Sequence, residues 1–364
     1  MPGLDVVRGL AILLVLLDHG LSLDAPAFNS SPSWLVREIP QVLHYGLFGV
    51  HLFFILSGFL ITGILLDTRE DQDYFRNFYL RRVLRIVPAY VLMIAALKLT
   101  GHIDWRFALV ALLYFANMPA LLGSTPQYGP FWSLCVEEQF YLVWPLVVRR
   151  LAQRTIVWLS GAMIVLTPFL RLALLQGPHA LRDIYYKTWV VSDFFAAGAL
   201  LAIALRSPAL RPKLQRAPVM LLAAGAISLT LFQTLPAVWS PSHTNFQRAF
   251  QPEPYLLLFS GIVLLAVLHP RMASSTLLAR PLVFLAYISY GLYLVHPVIM
   301  DDLSNHWVAI WRYSDHPIAG VLVRFCLSVS LSVAIAWISR STVEKFFLNL
   351  KPKHRHSKST PQRA

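Results

Sequence analysis

Apolar segments follow one another along almost the whole chain, and short polar or basic stretches separate them. An α-helix needs about 20 predominantly apolar residues to cross the hydrocarbon core of a bilayer. The pattern therefore predicts an all-α, polytopic membrane helical bundle with about ten transmembrane helices. The predicted spans lie near residues 4–23, 46–66, 84–100, 136–148, 155–175, 188–205, 218–235, 254–269, 281–300 and 317–340.

A further, weaker apolar segment at 107–123 contains Pro119 and runs into STPQYGP, a sequence that cannot continue a helix. Short basic loops of membrane proteins lie on the cytoplasmic side. If this segment crossed the bilayer, the basic stretch at 149–154 and the later basic loops would all lie outside. We therefore predict that residues near 101–135 form a re-entrant or partly inserted segment, and that both termini are cytoplasmic.

The composition supports a membrane protein. Of the 364 residues, 57% are hydrophobic and only 13% are charged, whereas soluble domains carry about 25% charged residues. The net charge of +13 arises in short loops and in the tail KPKHRHSK, so that topology and membrane lipids explain it better than nucleic acid does. Cys135 and Cys326 both lie in apolar stretches and indicate neither a disulfide framework nor a metal site. We expect a membrane domain at 1–347 and a basic, disordered cytoplasmic tail at 348–364.

The first span, RGLAILLVLLDHG, carries Arg8 at one end and Asp18-His19 at the other. In an α-helix eleven residues amount to about 1,100°, close to three full turns, and to about 16 Å of rise. Arg8 and His19 therefore share one helix face. Polar groups inside a membrane usually face a protein interior or a water-filled cavity, so the helix is predicted to line a site.

A basic cluster at the start of the third span, Arg81, Arg82 and Arg85, lies on the same predicted cytoplasmic side as Arg8. Arginine holds phosphate oxygens with its planar fork of donors. The alternative is a topology anchor that binds anionic lipid headgroups. The cluster by itself fits either interpretation.

Imidazoles and carboxylates fall on the predicted outer side, with His51 beginning the second span and Glu137 and Glu138 preceding the fourth. His296 lies near the end of the ninth span. His51 could instead bond across a helix pair, and one glutamate could merely favour a helix N-terminus. The asymmetry between a basic inner side and this outer cluster is the main indication of function.

Five motifs occur in order: LDVVRGLAILLVLLDH, FGVHLFFILSGFLIT, FYLRRVLRIVPAY, FWSLCVEEQFYLVWPL and ISYGLYLVHPVIM. Together they resemble the acyltransferase-3 family of integral membrane acyltransferases, over about residues 4–345. The resemblance implies transfer of an acyl group, often acetyl, from cytoplasmic acyl-CoA to a carbohydrate hydroxyl at the outer face. It also implies a place in the bacterial inner membrane, acyl-CoA as co-substrate, and neither a tightly bound cofactor nor a metal.

The resemblance assigns roles residue by residue. His19 and Glu137 match its catalytic positions, while Ser289 belongs to its late serine-tyrosine-histidine pattern. The acyl-CoA contacts fall to Arg8, Arg81, Arg82 and Arg85. The supporting or acceptor-side residues are Asp18, His51, Ser57, Trp132, Ser133, Tyr293 and His296. Asp18 and His51 depart from the residues common in the family, and Ser57, followed by glycine, is more typical of small-residue helix packing than of a site.

Histidine chemistry would suit such a transfer. His19 could take the proton of a sugar hydroxyl as a general base, or itself become acylated and carry the group. Glu137 could orient His19 or stabilise its imidazolium, and Ser133 or Tyr293 could stabilise the thioester oxyanion. The competing hypothesis is a proton-coupled transporter of a small molecule or glycolipid. A lipid-binding scaffold would explain the arginines but not the histidines.

Overall fold

The structure of the protein is a computed structural model. It describes residues 2–22, 25–29, 31–175, 185–234, 244–271, 277–311 and 317–350. Within these ranges the chain is helical with no strand. Each predicted span overlaps one long helix. We number these helices α1 Pro2–Leu21, α2 Gly49–Asp67, α3 Tyr74–Leu99, α4 Phe131–Arg150, α5 Gln153–Leu174, α6 Ser192–Arg206, α7 Ala217–Thr234, α8 Pro252–Leu268, α9 Ala279–Trp311 and α10 Pro317–Ser339.

Six helical segments of the described chain are long and apolar enough to cross a membrane. They are Trp34–Asp67, Gln153–Leu174, Ala217–Thr234, Asn245–Leu268, Ala279–Asn305 and Pro317–Asn349. Apolar side chains on the outside of the bundle, such as Trp158 and Met220, are mostly exposed, as a lipid-facing surface requires. The structure thus confirms an all-α bundle of multi-pass type, while the count of ten spans stays a prediction.

Of the remaining long helices, α1, α3 and α4 carry charged residues along their length, whereas α6, with 15 residues, is short for a span. Charge lowers the hydropathy of a helix, but it is tolerated where the helix faces the bundle interior. Helices α1, α3 and α4 contain most of the candidate site residues.

The segment at 101–135 contains no long helix. Its helix Trp105–Leu112 has eight residues and is therefore about 12 Å long, too short to cross a bilayer. Asp104 caps this helix by accepting a 2.7 Å hydrogen bond from the N–H of Phe107. A 3₁₀ turn at Pro119–Leu122 and an extended stretch then lead to α4. This arrangement agrees with the prediction that 107–123 is not a full span.

Close helix crossings hold the bundle together. A Cβ at Gly58 would lie 2.1 Å from the carbonyl oxygen of Phe195, and one at Gly9 would lie 2.0 Å from that of Leu282. Glycine therefore lets α2 approach α6, and α1 approach α9, backbone to backbone. The apolar core, including the fully buried Ile12 and Ile55, lies at these crossings.

The predicted basic tail begins at residue 348, but beyond Leu350 it lies outside the described residues. The domain boundary at 347 and the cytoplasmic location of both termini remain predictions.

Candidate active site

Arg8 and His19, which the helical spacing placed on one face of α1, line two different cavities. Arg8 lines a cavity of about 190 Å³, here called the arginine cavity. Its Nη1 lies 3.3 Å from Oδ1 of Asp5, one turn earlier in the same helix. His19 lines a second cavity of about 490 Å³, here called the histidine cavity.

The arginine cavity lies between α1, α2, α3, α4 and α9. Its polar lining comprises Arg8, Ser57, Arg82, Arg85, Ser133, Glu137, Glu138, Tyr141, Ser289, Tyr290 and Tyr293. Apolar side chains of α2, such as Phe53 and Leu60, complete the wall. The cavity therefore combines fixed positive charge with an apolar slot.

Glu137 lies in the arginine cavity rather than beside His19. Its carboxylate accepts hydrogen bonds from Ser57 Oγ at 2.8 Å and from the Tyr141 hydroxyl at 3.3 Å. The guanidinium of Arg82 lies over the Tyr141 ring, 4.8 Å from its centroid. Within the described residues no hydrogen bond or ion pair joins Glu137 to His19, so Glu137 does not orient His19 by direct contact in this structure.

The start of α4 explains this difference. The sequence pattern placed the beginning of the span at residue 136, with Glu137 at its outer end. The helix begins at Phe131, so that Glu137 lies six residues, or about 9 Å, inside it. Glu138 lines the same cavity, and which glutamate acts stays a prediction.

A third cavity, here called the Arg81 cavity, adjoins the arginine cavity. It is lined by Ile64, Thr68, Asp71, Tyr74, Asn77, Phe78, Arg81, Arg82 and Arg85. Ile64, Arg82 and Arg85 line both. All three arginines of the basic cluster therefore line one or both of two cavities that share wall residues.

The histidine cavity has a different chemistry, because aromatic rings and neutral hydrogen-bonding groups dominate it. Its rings and polar groups come from His19, His44, Tyr45, Phe48, His51, Asn117, Tyr128, Trp132, Tyr185, Tyr186, Gln251 and Tyr293. Among the described lining residues none is lysine, arginine, aspartate or glutamate. This lining suits an uncharged ligand that offers both apolar faces and hydroxyl groups.

The ring of His19 is bonded to a second histidine. Nδ1 of His19 lies 3.0 Å from Nε2 of His296, and Nδ1 of His296 lies 2.9 Å from the carbonyl oxygen of Leu292. His296 is fully buried. The sequence grouped His296 among the supporting residues, but no spacing in the sequence indicated that it contacts His19.

Asp18, next to His19, is also buried and holds another histidine of the cavity. Its Oδ1 accepts hydrogen bonds from Ser22 Oγ at 2.8 Å and from His44 Nδ1 at 3.1 Å. A Cβ at Gly46 would lie 2.3 Å from the carbonyl oxygen of Leu14, so this close approach brings the segment after His44 against α1. Sequence reasoning missed His44, which belongs to none of the motifs.

His51 is buried between aromatic rings, with its ring centroid 4.4 Å from that of Phe194. Its Nδ1 has no hydrogen-bond partner among the described residues. A buried polar atom without a partner costs free energy. The contact across a helix pair that we considered for His51 is thus not a hydrogen bond.

The arginine and histidine cavities share two lining residues, Val50 and Tyr293. The hydroxyl of Tyr293 lies 2.6 Å from Ser133 Oγ, which also donates to the carbonyl of Pro130 at 3.1 Å. Trp132 lies on the side of the histidine cavity. The motif ISYGLYLVHPVIM therefore supplies Tyr293, at the junction of the two cavities, and His296, which lies about one turn later and contacts His19.

A buried ion cluster close to the histidine cavity was not predicted. Arg171 on α5 pairs with Asp193 on α6, and its Nη1 lies 2.8 Å from Oε1 of Glu253 on α8. Its Nε donates to the carbonyl of Val190 at 2.7 Å. Arg171 and Asp193 are almost completely buried, so this cluster ties three helices together.

Comparison with known proteins identifies the class to which this fold and site belong. The family model for the acyltransferase domain of the acyltransferase-3 family matches residues 1–340. The chain therefore belongs to this family, which confirms the resemblance found in the sequence.

Individual relatives are about a quarter to a third identical to the chain over the residues that align. Peptidoglycan O-acetyltransferase OatA of Listeria monocytogenes is 27% identical over 360 residues, covering 85% of the chain and 52% of the relative. YrhL of Bacillus subtilis is 32% identical over 338 residues, covering 82% and 49%. O-acetyltransferase OatA of Staphylococcus aureus is 25% identical over 333 residues, covering 85% and 52%. The chain thus spans about half the length of these relatives, and no solved structure matches it.

Proposed function

We propose that the protein is an integral membrane O-acyltransferase. It moves an acetyl group from cytoplasmic acyl-CoA to a hydroxyl of a carbohydrate or glycoconjugate at the outer face of the bacterial inner membrane. The observation that carries the proposal is the junction at Val50 and Tyr293, where a cavity lined by arginines adjoins a cavity lined by histidines. In this proposal the acyl donor in the arginine cavity and the hydroxyl acceptor in the histidine cavity meet at this junction.

The basic cavities suit the donor. The phosphates of CoA would bind Arg81, Arg82 and Arg85, because guanidinium groups hold phosphate oxygens bidentately. Tyr74 and Phe78 line the Arg81 cavity and give part of its wall an apolar, aromatic character. The narrow pantetheine arm would then extend through the arginine cavity past Arg8 towards the junction.

The histidine cavity suits the acceptor. Its aromatic faces, together with the side-chain amides of Asn117 and Gln251, can pack against a sugar ring and bond its hydroxyls. The names of the OatA relatives, which include a peptidoglycan O-acetyltransferase, support a carbohydrate of the cell envelope as acceptor.

His19 would perform the transfer at the boundary. It takes the proton of the acceptor hydroxyl as the oxygen attacks the carbonyl carbon of the thioester. The tetrahedral intermediate then breaks its C–S bond, and the leaving thiolate takes the proton from the imidazolium. The products are an O-acyl ester and CoA-SH, so atoms and charge balance. In the alternative route His19 itself is acylated first, and a second step passes the group to the hydroxyl.

The test is the transfer of label from radiolabelled acetyl-CoA in membranes that contain the intact protein or His19→Ala. We expect label in a glycan fraction and stoichiometric release of CoA-SH only with the intact protein. His269→Ala, a change of an exposed histidine outside these cavities, should leave both signals unchanged.

Two results would contradict the proposal. Near-normal turnover by His19→Ala would remove His19 from the mechanism. No thiol release with acetyl, succinyl or longer acyl donors, from folded protein and a range of glycan acceptors, would favour the transporter instead. Label trapped on His19 in the absence of acceptor would select the two-step route.

A further inference from the structure

The two hydrogen bonds of His296 have defined directions, and together they fix the proton positions on His19. The carbonyl oxygen of Leu292 can only accept, so Nδ1 of His296 carries the hydrogen of the 2.9 Å bond between them. His296 is fully buried, and within the described residues no carboxylate is bonded to it. It is therefore neutral, because a buried charge needs a partner.

A neutral imidazole has one N–H, so Nε2 of His296 holds a lone pair. Across the 3.0 Å contact, Nδ1–H of His19 must donate to that lone pair. This places the hydrogen of neutral His19 on Nδ1 and leaves its Nε2 unprotonated. The two hydrogen bonds of His296 therefore select one of the two neutral tautomers of His19.

We propose that His296 is a positioning residue that holds His19 in the tautomer whose Nε2 reacts. The inference rests on the proposed function and specifies which atom of His19 takes the proton or the acyl group. Nε2 of His19 is the nitrogen left free for the histidine cavity, which the ring lines. When Nε2 becomes protonated, Nδ1–H still donates to His296, so the same contact stabilises the imidazolium.

His296 therefore does for His19 what a carboxylate does for the histidine of a serine-protease triad. The sequence assigned this function to Glu137, which instead lies in the arginine cavity. His296 is anchored within its own helix, because Leu292, whose carbonyl oxygen accepts from its Nδ1, lies one turn earlier in α9. Helix α9 packs against α1, and the 3.0 Å contact between the two rings lies within this helix pair.

Two substitutions at position 296 separate positioning from packing. Asn reaches the location of Nδ1 and can still donate to the carbonyl of Leu292, but it offers His19 no acceptor. Gln reaches the location of Nε2, where its carbonyl oxygen can accept from His19. We expect His296→Asn to lower kcat by about 100-fold or more, as loss of the correct tautomer does elsewhere, with KM for acetyl-CoA within about twofold. His296→Gln should recover a large part of kcat.

Methylated histidines at position 19 test the reacting atom directly. In a His296→Ala background, which makes room for a methyl group, Nδ1-methylhistidine forces the lone pair onto Nε2. We expect it to restore kcat by about tenfold over His296→Ala alone, whereas Nε2-methylhistidine should be inactive. Equal activity of the two isomers, or loss of kcat in Gln as severe as in Asn, would overturn the proposal.

A second measurement does not depend on turnover. Nitrogen-15 NMR of histidine-labelled protein distinguishes protonated from unprotonated ring nitrogens. We expect His19, assigned by its loss in His19→Ala, to carry hydrogen on Nδ1 in the intact protein and to populate both tautomers in His296→Asn. An unchanged tautomer in His296→Asn would refute the role of His296. Failure of the intact protein to release CoA-SH would instead refute the proposed function.

Discussion

Ser57 donates a 2.8 Å hydrogen bond to Oε1 of Glu137, and this contact ties α2 to α4 in the wall of the arginine cavity. The Tyr141 hydroxyl donates to the other carboxylate oxygen of Glu137. Gly58, the next residue after Ser57, packs against α6. Gly58 therefore serves the helix packing that the sequence suggested for this pair, while the role of Ser57 in the site stays a prediction.

Glu137 should matter more than Glu138. Glu137→Gln removes the negative charge that Ser57 and Tyr141 bond and replaces one accepting oxygen with an NH₂ group; Tyr141 retains Ser57 Oγ, 2.9 Å from its hydroxyl, as a hydrogen-bond partner. We expect CoA-SH release by Glu137→Gln to fall by about tenfold or more, since bonds to a charged group contribute about 1.5–3 kcal/mol. Glu138→Gln is the matched control, because no hydrogen bond of its side chain is found within the described residues, and it should lose less than threefold. The reverse order would assign the functional carboxylate to Glu138.

The donor site predicts a selective kinetic effect of Arg82. Arg82→Ala removes a guanidinium that borders both basic cavities, so KM for acetyl-CoA should rise about 10- to 100-fold, or about 1.4–2.8 kcal/mol. KM for the acceptor should change less than twofold. Steady-state CoA-SH release with each substrate varied in turn provides the measurement.

Arg154→Ala is a suitable comparison, because Arg154 is an exposed basic residue at the start of α5, away from the cavities. If these arginines only bind lipid headgroups, Arg82→Ala and Arg154→Ala should have similar effects on the two KM values. Equal effects of Arg82→Ala on the two KM values, with a similar effect of Arg154→Ala, would support the anchor.

Local geometry was predictable from the sequence, whereas partners distant in the chain were not. Arg8 and His19 lie on one helix, so helical periodicity alone predicted that they share one helix face. The contact of His19 with His296 joins residues 277 positions apart in the chain and depends on how α1 packs against α9, which helical periodicity does not predict. The sequence placed Glu137 too close to the end of its helix. Helix α4 begins at Phe131, after a segment without regular secondary structure, and hydropathy gives only a weak signal for such a boundary.

His44 is predicted to act on the acceptor side. Asp18 holds Nδ1 of His44, so Nε2 of His44 is the nitrogen available to a ligand in the histidine cavity. His44→Phe keeps a ring of similar size but cannot form hydrogen bonds. We expect KM for the acceptor to rise about fivefold to tenfold, about the contribution of one hydrogen bond, with KM for acetyl-CoA unchanged.

Asp18→Asn tests the same contact from its buried partner. The amide oxygen can still accept from His44, so this change should have a smaller effect than His44→Phe. Initial rates across a range of acceptor concentrations measure both variants. A change in kcat alone, without a change in KM for the acceptor, would show that His44 does not bind the acceptor.

The buried cluster around Arg171 should be required for stability. Arg171→Met fills a similar volume but leaves Asp193 without its cation inside the bundle, and it also removes the partner of Glu253. Breaking a buried ion pair by removal of one member costs about 3–5 kcal/mol, so we expect a large fall in the midpoint of thermal unfolding in detergent. Arg171→Lys should recover only part of this loss, because an ammonium group cannot reproduce the forked contacts to Asp193, Glu253 and the carbonyl of Val190.

The triple change Arg171→Met, Asp193→Leu and Glu253→Leu separates an uncompensated charge from lost packing. If buried, unpaired carboxylates cause the instability, their replacement should bring the unfolding midpoint back towards that of the intact protein, since apolar residues can substitute for a buried ion cluster. Arg154→Met, on the exposed start of α5, should leave the midpoint within about one degree, as surface changes usually cost under about 0.5 kcal/mol. A similarly small effect of Arg171→Met would show that the ion cluster does not hold the three helices together.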